Sequence, residues 1–127
     1  MKDVILVITG GALGALLRFG VGGWIQRNVL TFPLSTFLIN LVGSFFLGFI
    51  MYSAEYGGVV SRDFRVFFTI GLLGSFTTFS SLEYESLRLL EKGELLLFFW
   101  NLVGNVALGL GAVFSGKILA MVLFRWP

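Results

Sequence analysis

Four apolar stretches dominate the chain, at residues 4–26, 32–52, 66–84 and 95–124. A helix needs about 20 predominantly apolar residues to cross the hydrocarbon of a bilayer, so each stretch is close to or above spanning length. The first carries one charge, Arg18, the second none, and the fourth only Lys117 near its end. The third has an apolar core over residues 66–82, with Arg62, Asp63 and Arg65 before it and Glu83 and Glu85 after. Soluble domains carry about 25% charged residues, and this chain carries 13%. The reading is a single all-α integral membrane domain, residues 1–127, with four transmembrane helices. A signal peptide competes for the first stretch because Lys2 precedes it, but Arg18 and the missing small-residue cleavage pattern argue against that. Connections are expected near 27–33, 53–65 and 85–94, too short for a soluble domain.

The residue inventory excludes several chemistries. With no Cys there is no thiolate nucleophile, disulfide framework or Cys zinc site. With no His there is no imidazole base and no HExxH metal motif. The nine Lys and Arg are scattered singly, which gives no footprint for nucleic acid. VITGGALGALLR resembles a dinucleotide-binding turn, but another glycine-striped apolar segment follows where a strand and an acidic residue are required. GAVFSGKI has phosphate-loop spacing up to Lys117, but Ile118 stands where the magnesium-binding hydroxyl should be.

Polar and small residues are ordered within the spans. Gly10, Gly14, Arg18 and Gly22 recur every four residues, as do Thr36, Asn40, Ser44 and Gly48. Asn101, Asn105 and Gly109 form a third stripe, with Ala107, Gly111 and Ser115 beside it. Residues four apart share a helix face, and small residues there let helices approach closely in lipid. Such stripes serve packing first, and three intramembrane asparagines in so small a chain also fit a polar path.

The third span differs. Its core, GLLGSFTTFSS, combines Gly71 and Gly74 with Ser75, Thr77, Thr78, Ser80 and Ser81. Glycine and locally bonding hydroxyls both weaken a helix. A break is expected here, the alternative being a continuous, hydroxyl-rich helix. A break at membrane depth must be buried in protein or line a wet cavity, and its freed backbone ends suit an ion.

The polar groups favour an anion. Asn, Thr and Ser are neutral donors, Arg18 is the only charge deep in a span, and no carboxylate lies mid-span as proton coupling requires. Phe79 sits inside the hydroxyl-rich run, where the electropositive edge of its ring can face an anion. Lys2, Arg62, Arg65 and Arg125, with Lys117 as a further member, face Arg27, Arg88 and Lys92 across the membrane. That small bias specifies orientation weakly and allows an antiparallel dimer.

GGALGALLR, TFLINLVGSFFLG and GLLGSFTTFSS together resemble the three signature stretches of the small fluoride channel family (Fluc, also called CrcB), and the likeness spans nearly the whole chain. The resemblance implies a multi-pass protein of the cell inner membrane, not an enzyme, that exports fluoride passively and selectively. It implies an antiparallel, dual-topology dimer in the lipid bilayer with two separate pores. It also implies a central structural sodium ion on backbone carbonyls, supplied here by Gly74 and Thr77. Asn40 matches the pore amide, Phe79 the first pore phenylalanine and Arg18 the first-helix arginine near the vestibule. Thr36, Ser80 and Ser81 match members of the polar track, and Glu85 matches the family's glutamate. One departure stands out: the pattern TTFSTFSxE reads TTFSSLEYE, so Leu82 replaces a second pore phenylalanine and Glu83 a serine. A homodimer with one ring edge per chain and a heterodimer with a related chain both remain open. A small dual-topology multidrug-type exporter, which needs an embedded carboxylate, and a structural subunit are the rival functions.

Overall fold

The computed structural model describes residues 1–125, all helix and short connections. Helices α1 (Lys2–Gln26), α2 (Leu34–Gly57) and α6 (Leu95–Phe124) are continuous. The third span is segmented into α3 (Arg62–Arg65), a wider π-helical stretch (Val66–Leu73), α4 (Gly74–Phe76) and α5 (Phe79–Glu91). All four spans are long and apolar enough to cross a membrane. Their outward surface is apolar as well, with Leu16, Phe19, Trp24, Ile70, Leu110 and Phe114 among many exposed large side chains. Water would penalise such a surface, whereas lipid accepts it.

Two of the helices stop at glycine. Gly58 follows α2 at φ 59° and Gly93 follows α5 at φ 75°, the left-handed conformation that caps helices and that glycine adopts without a Cβ penalty. After α5 the Gly93 and Glu94 amides donate back to the Leu90 and Leu89 carbonyls (3.0 and 2.9 Å). Helices α2 and α5 therefore outrun the spans expected at 32–52 and 66–84, and two of the connections shrink to residues 58–61 and 92–94. Backbone capping, not the first polar side chain, sets those ends.

Packing is glycine-mediated. A Cβ on Gly10 would lie 2.5 Å from the Phe67 carbonyl oxygen, and one on Gly14 would strike the Leu72 carbonyl. So α1 rests backbone-to-backbone on the π-helical stretch. In the most extensive helix pair, α2 with α6, Gly48 meets the Val113 carbonyl and Gly116 the Phe45 carbonyl. The stripes expected at 10–22 and 101–109 face protein: Gly10, Gly14, Gly22, Asn101, Asn105 and Gly109 are buried. Ala107, Gly111 and Ser115 are exposed, and Gly104, Gly116 and Ala120 take the buried positions instead, because these face α2. At one end of the bundle, Arg62 donates to both carboxylate oxygens of Asp3 (2.8 and 2.7 Å) and Lys2 pairs with Asp63.

Candidate functional site: a broken helix between polar cavities

The third span breaks at Thr77 and Thr78, whose backbones are extended (φ/ψ −81°/156° and −149°/123°). This lies inside the run where hydroxyls and glycine predict it. Asn40 of α2 holds the break open: its Oδ1 accepts from the Thr78 N–H (2.8 Å) and its Nδ2 donates to the Thr78 carbonyl (3.1 Å). In a continuous helix the Thr78 N–H would serve the Gly74 carbonyl and the Ser81 N–H the Thr77 carbonyl. Here the first goes to Asn40 and the second to Thr78 Oγ1 (3.2 Å). The Gly74 and Thr77 carbonyls thus lose their helical donors, and both residues line a cavity of about 100 Å3 with Thr69 and Ser44.

On the far side of the break, α5 begins with Thr78 as its cap. No acceptor among the described residues meets the Phe79 and Ser80 N–H groups. The first N–H groups of a helix carry its positive end. A pocket of about 240 Å3 adjoins them, lined by Asn40, Ser44, Thr77, Thr78, Phe79 and Leu82 with two residues of α6, Asn105 and Val106. Phe79 is 70% exposed and Leu82 4% exposed, so in this chain the phenylalanine forms an outer edge and the leucine an inner wall.

Thr78 also borders a larger open cavity of about 580 Å3, which Gln26 and Lys92 line as well. Arg18, Thr36, Ser81 and Glu85 line it together, as does Arg88. Thr36 Oγ1 donates to Glu85 Oε1 at 2.8 Å, tying α2 to α5. Glu85 Oε2 is buried without a partner among the described residues. Ser80 is exposed, and its hydroxyl lies 3.4 Å from Thr78 Oγ1. Of the expected site residues, Arg18, Thr36, Ser81 and Glu85 line the wide cavity and Asn40, Thr77 and Phe79 the narrow pocket, with Thr78 bordering both, while Ser80 lines neither. Gly74 joins Thr77 on the carbonyl side.

Thr78, which the sequence singles out only as one of the hydroxyls weakening the helix, borders both cavities and supplies every backbone contact to Asn40. Its place between Thr77 and Phe79 was the available signal. The other difference concerns Asn40: both of its N–H bonds are taken, by the Thr78 carbonyl and by Asn105 Oδ1 (3.0 Å). It is a structural clamp before it is a donor to anything else.

The family model described as CrcB-like protein, Camphor Resistance (CrcB), matches residues 5–117. The chain is similar to fluoride-specific ion channel FluC 1 of Methanosarcina acetivorans, at 47% identity over 97% of this chain and 94% of the relative. It is 49% identical to FluC 3 of Methanosarcina barkeri over 95% of this chain and 92% of that one. It is 43% identical to a FluC of Thermus thermophilus over 98% of this chain and 93% of the relative. With the match running through all four helices and the break between α4 and α5, this chain belongs to the CrcB family.

Proposed function

We propose that this protein is a passive, fluoride-specific ion channel of the cell inner membrane; the relatives it resembles are named fluoride-specific ion channels. The observation that carries the reading is the broken helix, which joins a wide cavity bearing Arg18 to a narrow pocket lined by neutral polar groups and one ring. A small anion stripped of water in hydrocarbon costs on the order of tens of kcal/mol. Donors must replace that water in steps. The Ser81 hydroxyl supplies an early one beside Thr36, whose own O–H is held by Glu85, and the open Phe79 and Ser80 N–H groups and the Phe79 ring edge supply the next. Arg18 concentrates anions at the mouth. Hydrogen fluoride enters neutral and ionises inside, so a passive exit suffices for export.

The functional unit is an antiparallel dual-topology dimer with two pores. A single chain leaves Phe79 and Ser80 on its outer surface. Polar groups facing lipid are costly, and a second copy removes that cost. Sodium, which the family resemblance implies, fits the carbonyl side of the break. Gly74 and Thr77 carbonyls without helical donors are the hard oxygen ligands such a cation takes, and no acidic, Cys or His cluster competes among the described residues. The ion's chemistry there is positive charge at the centre of a membrane protein. With two carbonyls from each chain, it would be structural rather than transported. No observation favours the exporter alternative.

The deciding experiment compares fluoride with chloride efflux from liposomes holding the purified protein. Rapid fluoride loss with chloride retained, and no need of a proton gradient, is the expected result. Equal rates for the two ions would defeat the proposal.

A further inference from the structure

Asn40 sits at the end of a chain of side chains that reaches well away from the pocket. Its Nδ2 donates to Asn105 Oδ1 (3.0 Å), and Asn105 Nδ2 donates to the Asn101 carbonyl (2.7 Å) and to Asn101 Oδ1 (3.2 Å). Asn101 Nδ2 in turn donates to Ser86 Oγ on α5 (2.9 Å). The chain has one polarity. The Thr78 backbone fixes which way the Asn40 amide points, because reversing it would set oxygen against oxygen and N–H against N–H. Asn105 must then present its oxygen to Asn40, and its N–H bonds must go to Asn101.

We infer that Asn101, with Ser86 behind it, is a positioning residue that fixes the Asn105 and Asn40 amides and through them the break at Thr78. Asn101 is 0% exposed and borders none of the cavities around the break, so it has no access to an ion. Its place in the network is nonetheless decisive. Both N–H bonds of Asn40 are committed, and a loose Asn105 would free one of them and let the clamp on Thr78 turn. The network also pins α5 at two points, its capping residue Thr78 and Ser86, against α2 and α6. A buried polar chain of this kind is rigid when fully satisfied and fails when one link is left open. The inference rests on the channel reading for its transport consequence but not for its structural one.

The test combines fluoride efflux with side-chain amide resonances in protein labelled with 15N at asparagine, reconstituted in lipid. Only Asn28, Asn40, Asn101 and Asn105 contribute such signals. Asn101→Leu should lower fluoride efflux per folded protein about tenfold, the scale of one open buried link. It should also shift the resonance of Asn40, which it does not touch, while Asn28 stays fixed. Asn101→Asp keeps an oxygen for Asn105 and lets the Ser86 hydroxyl turn to donate, so it should bring the Asn40 resonance back toward its original place, whatever its buried charge does to efflux. An unmoved Asn40 signal in Asn101→Leu, or one displaced as far in Asp as in Leu, would overturn the relay. Should Asn101→Leu fail to fold, Ser86→Ala removes a single hydroxyl and carries the same comparison at Asn40. If the unsubstituted protein shows no fluoride efflux, the channel reading falls while the resonance comparison still decides the relay.

Discussion

Asn40 makes three hydrogen bonds at once, two of them to the backbone of a single residue, and this double duty sharpens what its substitution should do. In Asn40→Asp the side chain loses both N–H bonds and turns carboxylate oxygens toward the Thr78 carbonyl and Asn105 Oδ1. Each unmet buried partner costs about 1–3 kcal/mol, and the new charge repels an anion. Fluoride efflux should fall below detection, with a lowered melting temperature measured alongside. Phe79→Ile separates function from fold. At 70% exposure within the chain, the ring buries little on folding, so its loss should leave chain stability unchanged. Fluoride efflux should nevertheless drop about tenfold, one conventional step of barrier height, because the ring edge is gone. Wild-type efflux in Phe79→Ile would remove the ring from the pathway.

At the level of elements, α1 depends on backbone contact with the π-helical stretch. Gly14→Ala should force α1 away from the Leu72 carbonyl and lower stability by about 1–3 kcal/mol, the usual cost of overpacking. Gly20→Ala on the same helix meets nothing within 4 Å and should be neutral; thermal unfolding in detergent checks the pair. The spans were legible because apolar length is a one-dimensional signal, and residues 95–124 match α6 end to end. The break was legible as a region because GLLGSFTTFSS works against a helix throughout. Its location at Thr77–Thr78 was not, since that depends on which amide on α2 comes within reach of which backbone group. The π-helical stretch left no trace in VFFTIGLL, which reads as ordinary apolar helix. Its wide turn accompanies glycine contacts with α1, a tertiary cause. Asn101 and Asn105 were visible as a stripe, but their direction of hydrogen bonding emerges only once Thr78 orients Asn40.

For the whole molecule, cationic side chains lie at both ends of the bundle. Lys2 and Arg62 are paired with Asp63 and Asp3 at one end, and Arg88 with Glu91 at the other. Insertion follows the count of Lys and Arg, however, and Lys2, Arg62, Arg65, Lys117 and Arg125 against Arg27, Arg88 and Lys92 is a small bias that orients the chain weakly. A cysteine probe belongs at Val59, which is 65% exposed in the 58–61 connection, rather than at Gly57, where a Cβ meets the Phe124 ring at 3.0 Å. In membranes holding only this chain, Val59→Cys should be labelled from both sides in comparable amounts. One-sided labelling with activity intact would defeat the antiparallel homodimer. One-sided labelling with activity only beside a related chain would favour the heterodimer that Leu82 leaves open. Replacing sodium with a larger organic cation should slow fluoride efflux, and unchanged efflux would show that the Gly74 and Thr77 carbonyls need no cation.

The wide cavity of about 580 Å3 lies toward one end of the chain, where Gln26, Pro33 and Lys92 help line it. A conduit so lopsided, driven by voltage, passes current more readily one way than the other. In the proposed antiparallel dimer two such conduits would present opposite faces to the same field, so what one favours its neighbour would resist by the same amount. Recorded one dimer at a time in equal fluoride, the current at a given positive voltage should therefore equal that at the same negative voltage. A single chain is a diode in outline, and the proposed pair would conduct equally in both directions.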